Sequence, residues 1–151
     1  MIRTAEFVSP KHPDKICDRI SDKVLDTCLK QDPDSRVAIE TAGGHKQVYL
    51  TGEITTNAKI DYEEIVKEVC EKKDAEWFEF WLSHRIVKQS NEIARGVDTG
   101  GAGDQGIMVG YACNENDEYV PQEYYLARDL CRFLYERFPY CLLYTSDAAD
   151  E

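Results

Sequence analysis

A chain of 151 residues, 42% of them hydrophobic, is long enough to bury the core of one ordinary domain with some chain to spare. Its formal net charge of -11, with no concentrated stretch of Lys and Arg, argues against a nucleic-acid partner and against attraction to anionic membranes. No apolar run is long enough to span a bilayer, and the opening MIRTAEFVSP has neither the basic nor the apolar region of a secretory signal, so a soluble cytoplasmic protein is expected.

Residues 13 to 30, PDKICDRISDKVLDTCLK, set Ile16, Ile20, Val24 and Cys28 at four-residue steps, with Cys17, Leu25 and Leu29 alongside. This spacing predicts an amphipathic helix, opened by Pro13, which has no N–H to lose, and by Asp14, whose charge suits the first turn. QDPD at 31 to 34 stops it. Val37, Ile39 and Thr41 then alternate with Ala38 and Glu40, Gly43-Gly44 interrupts, and the β-rich QVYLTGEIT follows, which predicts a hairpin with Glu40 and Glu53 on opposite strands. A second helix is predicted from Asp61, whose spacing to Glu64 fits a capping box, with Ile65, Val66, Val69 and Cys70 as its buried stripe.

The aromatic group Trp77, Phe78, Phe80 and Trp81 is read as core packing, the commoner fate of such residues, in preference to a stacking platform for bases. Lys88 to Gly106, KQSNEIARGVDTGGAGDQG, is glycine-rich and poor in apolar residues, and is read as a loop. IMVGYA from Ile107 to Ala112 reads as a short strand, NEND as a turn at 114 to 117, and Pro121 as the opening of a last helix with Leu126, Leu130, Phe133 and Leu134 on its inner face. Strands and helices mixed through hairpin connections give an α+β class, not a doubly wound parallel sheet.

The six cysteines, Cys17, Cys28, Cys70, Cys113, Cys131 and Cys141, form no C-x-x-C pair and are accompanied by only three histidines, so buried structural thiols are expected and a zinc site is not. The last eleven residues, from Cys141 to Glu151, begin C-L-L-Y-T-S, the translation of a transposase-type sequencing adapter, and are set aside as a non-native tail. The tail carries Asp147, Asp150 and Glu151 but no base, so the remainder stays acidic.

Three places carry polar residues suited to chemistry. His12-Pro13-Asp14-Lys15 lies where an irregular segment enters a helix, and such a terminus offers N–H groups and partial positive charge to a phosphate. Asp14 adds a carboxylate for a hard cation, and Mg²⁺ typically takes only one or two of these beside phosphate oxygens. The hairpin carboxylates Glu40 and Glu53, and the flexible Gly100-Gly101-Ala102-Gly103-Asp104-Gln105-Gly106, which lacks the Walker pattern, are the others. The first two have ordinary structural alternatives, a helix cap and exposed strand residues, and the third is a weak signal by itself.

Their order and wording resemble one family. HPDKICDRISDKVLD (12 to 26), Glu40-Thr41, GEITT (52 to 56), KQS with GVD (88 to 98) and GAGDQGIMVGYA (101 to 112) together resemble the amino-terminal portion of S-adenosylmethionine synthetases. The resemblance implies that family's fold, with an N-terminal domain of mixed sheet and helices packed on one face over residues 1 to 100, the start of a central domain over 101 to 140, and the tail from 141 to 151. It implies synthesis of S-adenosylmethionine from ATP and L-methionine with release of phosphate and pyrophosphate, with Mg²⁺ and K⁺ as cofactors. His12 and Asp104 would be the catalytic residues. His12 would contact ATP near the triphosphate, Glu53 and Gln89 would line the methionine site, and Asp104 would touch the substrates. Asp14 would bind Mg²⁺ and Glu40 would bind K⁺, while residues around 89 to 99 would form a mobile loop over the site.

A homodimer or homotetramer with its site between subunits is also implied, together with later lysines, an arginine and aspartates not found in these 151 residues, so that the chain alone is expected to be inactive. The sequence departs from the family at Lys11, usually Gly, at Ala5-Glu6-Phe7 in place of Ser-Glu-Ser, and at Gln89-Ser90-Asn91-Glu92-Ile93, which lacks the usual proline. The alternative of a different class is a non-catalytic regulatory or interaction subunit. Against it stands the retention of His12, Asp14, Glu40, Glu53 and Asp104 in one chain.

Overall fold

The computed structural model describes residues 2–71, 81–103 and 105–138. They fall into two compact units, one comprising Pro13–Gln105 and the other Met1–His12 with Gly106–Glu151.

In the first unit, helix α1 spans Pro13–Gln31 and buries Ile16, Cys17, Ile20, Val24 and Cys28, the stripe that its periodicity predicts. Strands β1 (Arg36–Gly44) and β2 (Gln47–Thr55) pair antiparallel, with Arg36 opposite Thr55 and Gly44 opposite Gln47. The hairpin is as expected, but its turn is not at Gly43-Gly44. Both glycines lie in β1, and His45 and Lys46 carry the left-handed backbone, with φ of 47 and 62. A two-residue loop with two positive φ values matches the twist of a hairpin. Gly43 is instead needed for close packing, since a Cβ there would meet the Cys17 sulfur at 3.1 Å.

Helix α2 (Tyr62–Glu71) follows, and its predicted cap is present: the Glu64 N–H donates to Asp61 Oδ1 at 3.0 Å. Strand β3 (Trp81–Val87) then pairs parallel with β2, from Gln47 opposite Trp81 to Glu53 opposite Val87. The sheet order is β1-β2-β3 and its pairing is mixed, as an α+β fold with a crossover through α2 requires.

Alternation along the strands separates two faces. Val48, Leu50 and Ile54 of β2 point inward against α1 and α2, forming one cluster with Ile16, Ile20, Val66 and Cys70 and an adjoining one with Val24, Cys28 and Ile65. A Ser21–Thr41 hydroxyl bond of 2.7 Å ties α1 to β1, and Lys23 joins Glu68 across the helices at 2.9 Å. The opposite face carries Ala38, Glu40, Tyr49, Thr51 and Glu53.

Trp81 begins β3 and is 82% exposed, so its predicted place in the core is overturned. The alternation that turns Leu82 and Ile86 onto the core sends Trp81 to the other face. Trp77, Phe78 and Phe80 lie outside the described residues, as does Cys141 with the tail from 141 to 151. The glycine-rich segment is not all loop, for Asn91–Asp98 forms helix α3, with Ser90 as its cap accepting from the Ile93 N–H at 3.3 Å. A good cap and a run of EIAR outweigh the single Gly96 within the helix.

The second unit contains helix α4, Gln122–Arg137, preceded by Pro121 as anticipated. The turn expected at 114 to 117 is organised by Asn116, whose Nδ2 donates to Val120 O and whose Oδ1 accepts from Glu118 N. Arg3 forms a two-pronged pair with Glu115, whose other hydrogen bond caps α4 at the Gln122 N–H. The Arg3 bond holds the Glu115 carboxyl below its usual range.

Two expectations fail in this unit. Residues 107 to 112 do not form a strand, and Ile107, Met108 and Val109 are almost fully exposed. An extended segment becomes a strand only by pairing, and no described strand lies beside it to supply the ladder. Nor do Leu126, Leu130 and Phe133 form an inner face: they are more than half exposed and α4 buries no residue, because no described element packs on that side, while Leu134 is half-buried.

Candidate functional site

The predicted site residues occupy distinct places. His12 is half-buried in the second unit, and its N–H donates to Ser9 O at 3.1 Å. Asp14 is exposed in the first turn of α1, within the helical layer of the first unit. Glu40 and Glu53 share the sheet face that points away from that layer. Glu40 stands opposite Thr51 and Glu53 opposite Ala38, which places the two acids on adjacent rows. Asp104 lies outside the described residues.

Gln89 follows two residues after Val87, the β3 partner of Glu53 and the last residue of that strand. Its Oε1 is buried without a hydrogen-bond partner among the described residues, and the same is true of Arg36 Nε and Thr55 Oγ1. Arg36 and Thr55 are directly opposed across the β1–β2 ladder. Buried polar atoms are almost always paired, so these three stand out among the described residues of the first unit. The structure therefore brings Glu40 and Glu53 onto one side of the sheet, leaves Asp14 in the layer on the other side, and sets Gln89 just past the end of β3.

Arg36 and Thr55, which the sequence reading passed over, also line a polar cleft of about 310 Å³ with Asp32, Asp34, Ile54, Thr56, Asn57 and Lys88. Asp32 organises its rim. Its carboxylate accepts from Asn57 N at 2.7 Å, Asn57 Nδ2 at 3.1 Å and Thr56 Oγ1 at 3.3 Å, and also from Asp34 N. The Asn57 backbone bond, chief among these, pulls the Asp32 carboxyl below its ordinary value. Arg36 in turn pairs with Asp98 at the end of α3. A QDPD turn beside the alternating strand was visible in the sequence, but the 62-residue separation of Arg36 and Asp98 left no local signal of their pairing.

Cys17, Cys28 and Cys70 are buried and Cys113 and Cys131 half-buried, none of these five in a disulfide, and burial raises the thiol pKa of Cys17, Cys28 and Cys131. Among the described residues no three His, Cys, Asp or Glu side chains converge on a metal position. Single carboxylates such as Asp14 nevertheless suit Mg²⁺ that is also held by phosphate oxygens.

Comparison with known proteins decides what this arrangement belongs to. Residues 1–94 match the model of the S-adenosylmethionine synthetase N-terminal domain, and residues 99–139 match that of its central domain. The chain belongs to the S-adenosylmethionine synthetase family. It is 45% identical over 150 residues to the S-adenosylmethionine synthase of Prochlorococcus marinus (strain MIT 9211), across 87% of this chain and 37% of that protein. It also superposes on an unusual S-adenosylmethionine synthetase from Campylobacter jejuni with a TM-score of 0.76 and 35% identity, over 89% of this chain and 37% of that one. The chain thus spans 37% of the length of these two synthetases. Among its described residues no helix is long and apolar enough to cross a membrane.

Proposed function

We propose that the protein to which this chain contributes synthesises S-adenosylmethionine from ATP and L-methionine, releasing phosphate and pyrophosphate. The observation that carries this reading is the joint retention, in a member of the synthetase family, of the HPDK sequence at the start of α1 and the Glu40–Glu53 face of the sheet. A non-catalytic subunit has no use for both. His12 and Asp104 take the catalytic part, His12 beside the triphosphate and Asp104 against the substrates, while Glu53 and Gln89 hold methionine.

The methionine sulfur forms a bond to C5′ of ATP as the C5′–O bond breaks, that electron pair leaves with the triphosphate, and water then cleaves one P–O–P bond of the triphosphate to give pyrophosphate and phosphate. Sulfur needs no base, so the protein's task is to align two substrates and stabilise a departing polyanion. Asp14 and Glu40 would hold Mg²⁺ and K⁺ respectively, and these cations neutralise polyphosphate charge when bound. His12 would add a donor for the same anion, and Glu53 would pair with the methionine ammonium. Asp14 in the helical layer and Glu53 on the opposite sheet face do not serve one site within one copy, which supports a homo-oligomer whose sites lie between subunits.

The experiment is S-adenosylmethionine formation by a full-length synthetase carrying this sequence, with His12→Ala and Asp14→Asn as variants. Both substitutions are expected to abolish most turnover. Unchanged turnover in both would reduce the assignment to shared ancestry without shared chemistry.

A further inference from the structure

Helix α3 is short, and its side chains are largely exposed. A helix of eight residues has little stability of its own, so something outside it must fix its position. Its N-terminus is capped by Ser90, but the cap belongs to the same segment. Among the described residues, the ion pair between Arg36 of β1 and Asp98 is the side-chain hydrogen bond that joins α3 to another element.

That pair has a further electrostatic reason. Asp98 is the last residue of α3, where the helix dipole presents its negative end and a carboxylate is unfavourable. Arg36 supplies the compensating cation. Its backbone is held in the β1–β2 ladder opposite Thr55, and its side chain, one third exposed, lines the polar cleft. The helix begins two residues after Gln89, so whatever fixes α3 also fixes the backbone that carries Gln89.

We infer that Arg36 is a positioning residue: by pinning the C-terminal end of α3 through Asp98 it sets the place of Gln89, and through it the seat of methionine. The second half rests on the proposed methionine-site role of Gln89, whereas the pinning of α3 does not.

The test separates the two. In the 151-residue chain, amide hydrogen exchange over residues 91–98 is compared for the parent, Arg36→Ala, and Arg36→Ala combined with Asp98→Asn. Arg36→Ala strands Asp98 against the negative helix end, and protection of α3 is expected to fall roughly two- to fivefold, the range for an exposed ion pair. The second substitution removes the stranded charge and is expected to restore much of the loss, which general damage to the fold would not allow. Undiminished protection in Arg36→Ala overturns the pinning.

In a full-length synthetase, Arg36→Ala is expected to raise KM for methionine while KM for ATP holds, with Arg36→Lys partly recovering the parent value. Lowered α3 protection with an unmoved methionine KM overturns the link to methionine and assigns the failure to Gln89's role. Loss of all S-adenosylmethionine formation by the parent enzyme would instead mark failure of the proposed activity.

Discussion

Glu53 faces Ala38 across the β1–β2 ladder, one row from the Glu40–Thr51 pair, so the two carboxylates meet on a diagonal of the same sheet face. Side chains so related lie about 7–8 Å apart, close enough to feel one another's charge but too far to share a proton. Different roles are therefore available to them.

Glu53→Gln keeps the shape and removes the charge. In a full-length enzyme it is expected to raise KM for methionine by roughly 10- to 100-fold, the loss expected for a charge-assisted hydrogen bond, with little change in KM for ATP. Glu40→Gln is expected to leave methionine affinity largely intact and to blunt activation by K⁺. Steady-state kinetics with each substrate and with K⁺ varied distinguishes these, and equal effects of both substitutions on both would refute separate roles.

How much of this was legible in the sequence depended on where each segment's partners lie. The α1 stripe, the alternation of β1 and β2 and the Asp61 cap are local patterns, and each appeared where expected. Composition was misleading where one strong signal masked another. The glycines of 88–106 hid α3, whose formation turns on the single Ser90 hydroxyl, and Gly43-Gly44 drew the turn away from His45-Lys46. The exposure of Ile107, Met108, Val109 and the Leu126–Leu130–Phe133 side of α4 reflects the neighbours these residues lack among the described elements. No periodicity can reveal an absent neighbour. For the candidate site, Glu40 and Glu53 could be assigned to facing strands, but the opposition of Arg36 and Thr55 needed the exact hairpin register, and the pairing of β3 beside Glu53, which leads on to Gln89, joins strands far apart in sequence.

Gly52 offers a direct check of that register. Its φ of 137 is one that L side chains rarely adopt, and a Cβ would stand 2.0 Å from Ala38 O. Gly52→Ala must therefore strain the backbone and push β1 away from β2, and is expected to cost on the order of 3 kcal/mol. Urea denaturation would measure this, and a midpoint equal to the parent's would show that the hairpin is not paired as described.

The 151-residue chain by itself is expected to form no measurable S-adenosylmethionine. A millionfold acceleration needs roughly 8 kcal/mol of transition-state stabilisation. A helix terminus supplies about 0.3–1 kcal/mol, and one preorganised donor about 3–4 kcal/mol. The chain spans 37% of the length of each of the two synthetases named above, and the donors it carries fall short of the requirement. Product formation by the purified chain above the no-protein control would overturn this expectation.

Asp32 gives the first unit a defined response to acid. Hydrogen bonds, foremost that from Asn57 N, favour its ionised form and hold its folded pKa below the ordinary 3.8. On unfolding those bonds are lost and the carboxyl binds a proton more readily. The stabilisation is thus fully present above the unfolded value and is lost as pH falls through the folded one. Asp32→Asn keeps an acceptor for the Asn57 N–H but has no charge to titrate. It should be less stable than the parent at pH 6, and the gap between them should narrow as the pH is taken from about 4 downward. The acids Glu115 and Glu118 of the second unit are also held below their usual range by arginine partners, but the substitution leaves them unchanged, so they cancel in the comparison. Thermal midpoints at pH 6 and pH 3 suffice for the test. A gap of constant size would mean that Asp32 does not act through its charge.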